Sequence, residues 1–307
     1  MTKLMSGQMD DIGMLLVKSM DMPESLIINN FFYDLNNCPG IAEKFNLMFD
    51  GLKDSLSYNG KIFGVPFFVV TDAWKVNTEL MDTLKLDYPE ENWTWDDFYL
   101  YAKEARRNLN GDGKTDTYIV ELMMTPPFFM YQYNSIYFDV YQKTADYNTE
   151  EFINPLKLWK KIYKEDLVEN THHRIEKDYI LFMYKAWDFG TCVGDDTYIC
   201  KPTLKSKRIY NNYISFFMVN KKAINLNECL DSLEIYLSDE VQRINYGYGI
   251  NGFYKERSFY DTAEAAILYR GEPPNLTCSD NFILLNTIFK YSKPHVFRDE
   301  LDILIYM

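Results

Sequence analysis

Between Tyr58 and Tyr118 three local signals of different kinds follow one another, and together they constrain the chain more than any other stretch. The first, YNGKIFGVPFFVVTDAWKVNTEL from Tyr58 to Leu80, opens with an Asn-Gly pair of the kind that closes a hairpin. A β-rich apolar run from Ile62 to Val70 follows, and Pro66 fixes the chain direction within it. In the second, TWDDF, Thr94 and Asp97 have the spacing of a capping box. Phe98, Tyr101, Ala102 and Ala105 then recur at helical intervals, so TWDDF opens a helix. The third, NLNGDGKTDTY from Asn108 to Tyr118, is a loop rich in side-chain oxygens.

The remaining chain reads as alternating helix and strand. A helix is expected from about Asn148 to Lys164, with Phe152, Leu156, Trp159 and Tyr163 on one stripe, which makes Trp159 a core residue. Ile214 to Val219 is a continuous apolar run that suits a buried strand. Asn227 to Leu237 is helical with Leu230, Leu233 and Leu237 facing inward, and Ser238 caps a further helical start at SDEVQ. Alternation of this kind argues for α/β layers, and 307 residues suit two lobes or one large α/β unit.

Composition excludes several classes. With 47% hydrophobic and 25% charged residues the chain can bury a core, which argues against disorder. A net charge of −13 without a Lys/Arg run argues against nucleic acid as a partner, because phosphate neutralisation supplies most of such affinity. The 25 Tyr, 21 Phe and 5 Trp, many beside Asn, Asp or Gln, fit carbohydrate recognition: ring faces cover C–H patches while polar groups bond hydroxyls. Most of these rings are nevertheless expected in the core. The five cysteines form no CxxC and read as buried thiols, with a local Cys192–Cys200 bridge as the alternative. The adjacent His172 and His173 diverge on any regular element and read as solvated. No apolar run approaches the roughly 18 to 20 residues of a membrane span, and the first thirty residues lack the pattern of a signal peptide.

In order and spacing these segments resemble the extracellular solute-binding proteins of sugar-importing ABC transporters, the family of maltose-binding protein. GKIFGVPF, Gly60 to Phe67, is similar to the family's "GKiYGlPf", and Asn77 with Leu80 stands where "yNkdlf" usually does. ADYNTEEFINPLKLWKKIYKEDL and KAINLNECLDSLEIYLSDEVQ resemble two of its helices. Val76 and Thr78 replace the usual Tyr and Lys around Asn77, and Glu228-Cys229 lacks the usual Ala-Trp. The resemblance implies an α/β, two-lobed periplasmic-binding-protein-like (class II) fold, with lobe I formed by residues 1–69 and 213–262 and lobe II by 70–212 and 263–307. TKLMSGQMDDIGML resembles a segment that in the family follows an opening strand, helix and second strand, and DELDILIYM stops where family members continue. A chain truncated at both ends is therefore expected, with the N-terminal strand-helix-strand of lobe I missing.

The function implied is capture of a mono- or oligosaccharide by hinge closure, without catalysis. The expected partners are the sugar and the permease subunits of an importer; the protein is expected to be a monomer, extracellular or at the cell surface as a lipoprotein. Phe68 to Asp72 is the expected first crossing between lobes and Tyr210 to Tyr213 the return. Both lobes must reach the ligand where the hinge bends, which singles out Phe68, Thr71, Asp72, Asn212 and Tyr213 as ligand contacts. The loop holding Phe129 and Tyr131, kept from helix by Pro126 and Pro127, and the segment with Trp187, Asp188 and Thr191 are expected to line the other side. Trp187 is either buried in place of a family Met or turned into the cleft.

The third signal has two readings. Asn108, Asn110 and Asp112 occupy positions 1, 3 and 5 of a calcium loop, Lys114 offers its carbonyl and Asp116 stands at position 9, but position 12 is Ile119 rather than a bidentate Glu. The loop is either a structural calcium site of weak affinity or an Asn/Gly/Asp turn. A rival class is a glycoside hydrolase, which needs two carboxylates at about 5 to 10 Å, although GxSxG, HExxH and phosphate-loop motifs are absent. A third is a truncated fragment with no ligand site.

Overall fold

The computed structural model describes residues 10–18, 24–48, 50–120, 137–139, 144–168, 179–187, 197–205, 207–238, 240–241, 284, 287–288 and 290–294. At 24–25, 68–72, 138–139, 184–187, 211–212 and 292–294 the description is of backbone alone.

A seven-stranded sheet organises these residues. Its main path runs β1 (Met14–Lys18), β10 (Tyr210–Val219), β4 (Val65–Val76), β8 (Ile180–Trp187), β5 (Tyr118–Val120). β11 (Ser292–Pro294) pairs with the start of β10, parallel to it, and β9 (Tyr198–Ile199) pairs with the end of β4, while β6 (Phe138–Asp139) and β7 (Thr144–Ala145) pair with each other outside this sheet. β4 is the strand that holds the sheet together. Its first half, Val65 to Thr71, is antiparallel to β10, and its second half, Thr71 to Val76, is antiparallel to β8.

The Asn-Gly turn forms as its chemistry demands. β2 (Ser57–Tyr58) and β3 (Lys61–Ile62) are joined by Asn59 and Gly60 at φ +49° and +73°, the two left-handed residues of a hairpin turn whose twist matches the strands. The apolar run from Ile62 to Val70 is not one strand: it breaks at Phe63-Gly64 and resumes as β4, which continues to Val76. Gly64 passes so close to the ring of Phe216 that a Cβ would lie 2.8 Å from its Cδ2. The register then shifts between Ser215 and Phe216, opposite Phe68 and Pro66, where proline has no N–H to give the ladder.

Helices flank the sheet: α1 (Glu24–Ile28), α2 (Pro39–Asn46), α3 (Asp50–Ser55), α4 (Thr78–Leu84), α5 (Trp95–Ala105), α6 (Glu150–Lys164) and α7 (Leu226–Tyr236). The expected capping box is present at α5: Asp97 N donates to Thr94 Oγ1 at 3.3 Å and Thr94 N to Asp97 Oδ2 at 2.8 Å. At α6, Phe152 N donates to the Thr149 hydroxyl at 3.3 Å. This helix departs from expectation at one position. Phe152 and Trp159 are buried, but Ile162 completes the inward stripe and Tyr163 is 49% exposed. In α7 the inward residues are Cys229 and Leu233, with Leu230 half-buried, and Val241 N donates to Ser238 Oγ at 3.4 Å as the predicted cap.

Two hydrophobic cores result. The first gathers Phe32, Leu35, Ile41, Phe45, Leu52, Val65, Ala73, Tyr210, Ile214, Phe216 and Leu233 among others. The second gathers Trp74, Trp93, Trp95, Phe98, Ile119, Phe152, Trp159 and Phe182. Tyr198 and Cys200, from the stretch 70–212, pack in the first. Among the described residues no helix is long and apolar enough to cross a membrane.

Candidate functional site

The two cores meet along the middle of β4, and the backbone register there defines the candidate site. Asn212 is the partner of Thr71 on one side of β4, and Trp187 is its partner on the other; Asn212 is in turn opposite Pro294 of β11. Four strands thus contribute one residue each to a single row. Tyr213 pairs with Val70, Ser215 with Phe68, and Asp72 with Ala186. Directly opposed positions share a face of a sheet and successive positions alternate. The register therefore brings positions 71, 187 and 212 together on one face and assigns 68, 72 and 213 to the other. Spacing along the chain does not reveal this division, because it depends on which residues become partners. Tyr213 is half-buried. Phe129, Tyr131, Asp188 and Thr191 lie outside the described residues, as does the side chain of Trp187, so burial and cleft placements of its ring both stand.

The polar loop after α5 is held by its own side chains. Asn108 Oδ1 accepts from Gly111 N at 2.7 Å, Asn110 Oδ1 from Asp112 N at 2.9 Å, and Asp112 Oδ1 from Lys114 N at 2.8 Å. Asp116 accepts from Leu109 N at 2.8 Å and Asn110 N at 3.2 Å, and Gly113 supplies the turn at φ +87°. Sequence reasoning missed the brace behind it. Arg106 Nη1 donates to the carbonyls of Thr115 at 3.1 Å and Thr117 at 2.6 Å. Its Nε donates to Asp166 O at 2.9 Å, and its guanidinium lies 3.8 Å from the Tyr118 ring centre. Arg-carbonyl pairing over this distance in sequence has no local signature. As a calcium site the loop fits in part. Each of Asn108, Asn110 and Asp112 keeps a lone pair beyond its backbone bond, yet Ile119 is buried in β5 where a closing carboxylate is required. Among the described residues no group of three or more His, Cys, Asp or Glu side chains is placed to hold a metal.

Of the three described cysteines, Cys200 and Cys229 are buried and Cys38 is half-buried. Cys38, Cys200 and Cys229 are free, and burial pushes the Cys200 thiol up to about 11. Cys192 and Cys278 lie outside the described residues. Free Cys200 leaves no Cys192–Cys200 bridge.

No protein-family model matches the chain. Among curated proteins, the lipoprotein LipO of Bacillus subtilis is 28% identical over 155 residues, so that 45% of this chain spans 28% of that protein. Solved structures cover far more. An ABC substrate-binding protein of Listeria monocytogenes in complex with cycloalternan superposes with TM-score 0.66 at 14% identity, over 99% of this chain and 78% of that one. The cyclic alpha-maltosyl-1,6-maltose binding protein of Arthrobacter globiformis gives 0.68 at 12% identity, and the sugar-binding protein MalE of Xanthomonas citri 0.67 at 13%, with the same coverage of both chains. Two cores sharing one sheet, with β4 and β10 at the junction, thus form the α/β, two-lobed fold of the MalE-like ABC solute-binding proteins.

Proposed function

We propose that this chain is the solute-capturing component of an ABC importer and holds a mono- or oligosaccharide between its lobes without turning it over. The observation that carries the reading is the row across β11, β10, β4 and β8, where Asn212, Thr71 and Trp187 come together at the junction of the two cores. An amide, a hydroxyl and an indole are suited to a sugar, whose hydroxyls need directional partners and whose C–H faces need a ring. Strands shared by two cores can bend while each core stays rigid, the motion that a closing trap requires. Solved proteins of this fold that were named for or bound to cycloalternan, cyclic alpha-maltosyl-1,6-maltose and maltose support the ligand class.

The partners that follow are a saccharide and permease subunits, with the protein a monomer at the cell surface, anchored as a lipoprotein. The loop from Asn108 to Asp116 takes calcium weakly, as a brace for the fold. A thermal-shift panel of mono- and oligosaccharides, with product analysis of any hit, tests the function: a reversible stabilising ligand recovered intact is expected. Cleavage of the hit overturns the reading, and so does the absence of any saccharide response in a folded protein.

A further inference from the structure

Arg208 lies outside the row of predicted ligand contacts and links the first core to the connection that leads into the second. Its Nη2 forms an ion pair with Glu91 Oε1 and reaches the Glu91 carbonyl at 3.4 Å. Glu91 sits in the α4–α5 connection, two residues before Trp93, which is buried in the second core. On its other side, Arg208 Nε donates to Tyr210 Oη at 3.1 Å, and the guanidinium lies 4.7 Å from the Tyr291 ring centre. Tyr210 is buried in the first core and Tyr291 packs against it. Tyr210 Oη also reaches the Glu91 carbonyl at 3.4 Å, which closes a triangle among the three residues.

These partners stand where the sheet passes from one core to the other. β10 begins at Tyr210, β11 begins one residue after Tyr291, and Tyr210 and Ser292 are register partners. The ion pair alone carries little weight: the Glu91 side chain is 49% exposed and that of Arg208 23%, and exposed pairs are screened by water. The arrangement as a whole is different, because a planar guanidinium can stack on a ring with one face while its edge donates to a carboxylate and a phenol. Because Arg208 and Tyr210 lead into β10 while Glu91 precedes Trp93 of the second core, rotation of one core against the other must reorient this contact, and the contact resists that rotation.

We propose that Arg208 is a hinge-positioning residue: paired with Glu91 and set against Tyr210 and Tyr291, it restrains the angle between the two cores and thereby the ease with which the cleft opens and closes. The consequence for capture rests on the binding function proposed above; the test needs no ligand. Hydrogen–deuterium exchange is measured on the ligand-free full chain for the parent, Arg208→Met and Glu91→Gln. Arg208→Met keeps a long apolar side chain over Tyr291, and Glu91→Gln leaves the stacking intact, so both variants fold. The expected result is exchange at least threefold faster in peptides covering 69–73 and 210–213 in both variants, with α2 and α5 exchanging as in the parent. Unchanged exchange at the junction in either variant overturns the proposal, and so does equal acceleration throughout both cores, the mark of a merely structural contact. A protein that answers to no saccharide can still give the expected pattern, so the two readings fail separately.

Discussion

Ala73 and Trp74 are consecutive in β4 and belong to different hydrophobic cores, Ala73 to the first and Trp74 to the second. The pleat sends these two residues to opposite faces, and at this point of β4 one face meets the first core and the other meets the second. Trp74 is met by Trp93 at 5.8 Å, Phe98 at 5.6 Å and the stacked ring of Phe182 at 5.8 Å between centroids. Trp74→Ala should therefore cost about 3 to 5 kcal/mol, and Ala73→Leu about 1 to 3 kcal/mol through overpacking. Hydrogen exchange should lose protection first in the second core for the former and in the first core for the latter. Loss in the opposite core would contradict this assignment.

The junction positions should govern ligand affinity, while deeper rings govern stability. Trp187→Ala and Asn212→Ala, on the face that carries the row, are each expected to weaken saccharide binding about ten- to a hundredfold, as loss of a ring or amide contact of roughly 1 to 3 kcal/mol does, with the fold retained. Trp159 is 4% exposed within the second core, so Trp159→Ala should destabilise by about 3 to 5 kcal/mol. Calorimetric titration and urea unfolding of the three variants measure both. Parent-like binding in the two junction variants, with binding lost in a stably folded Trp159→Ala, places the cleft elsewhere.

If the loop from Asn108 to Asp116 takes calcium, the ion should stabilise the folded chain by about 2.7 kcal/mol at a hundredfold excess over its dissociation constant. Chelator should then lower the melting temperature, and Asp112→Ala should abolish the difference. Identical melting with and without chelator would leave the loop as a turn closed by its own hydrogen bonds.

The Cys200 thiol offers a pH test. Burial raises its pKa to about 11 from the ordinary 9.0, so the folded chain holds the thiol neutral where the unfolded chain ionises it. Stability from this group is fully present below pH 9 and declines as the pH rises toward 11, by about 2 to 3 kcal/mol at most. Cys200→Ser should flatten that decline in denaturant titrations between pH 8 and 11. At pH 8 the folded parent should leave Cys200 unalkylated, and the unfolded chain should not.

What the sequence determined by itself are the features whose partners lie within a turn of one another. Asn59-Gly60 closes its hairpin because both residues tolerate positive φ, and Thr94 with Asp97 caps α5 because the two side chains reach across three residues. The stripe of α6 was legible to Trp159 and failed at Tyr163, since 162 and 163 are equally compatible with helical spacing and the neighbouring elements chose Ile162. Tertiary structure alone decided which strands share the junction. The row of Asn212, Thr71 and Trp187 depends on register between strands more than a hundred residues apart, and Arg208 meets Glu91 across 117 residues. Such pairings arise when burial of whole faces selects one register from several that local propensity leaves equal, and no local motif records the outcome.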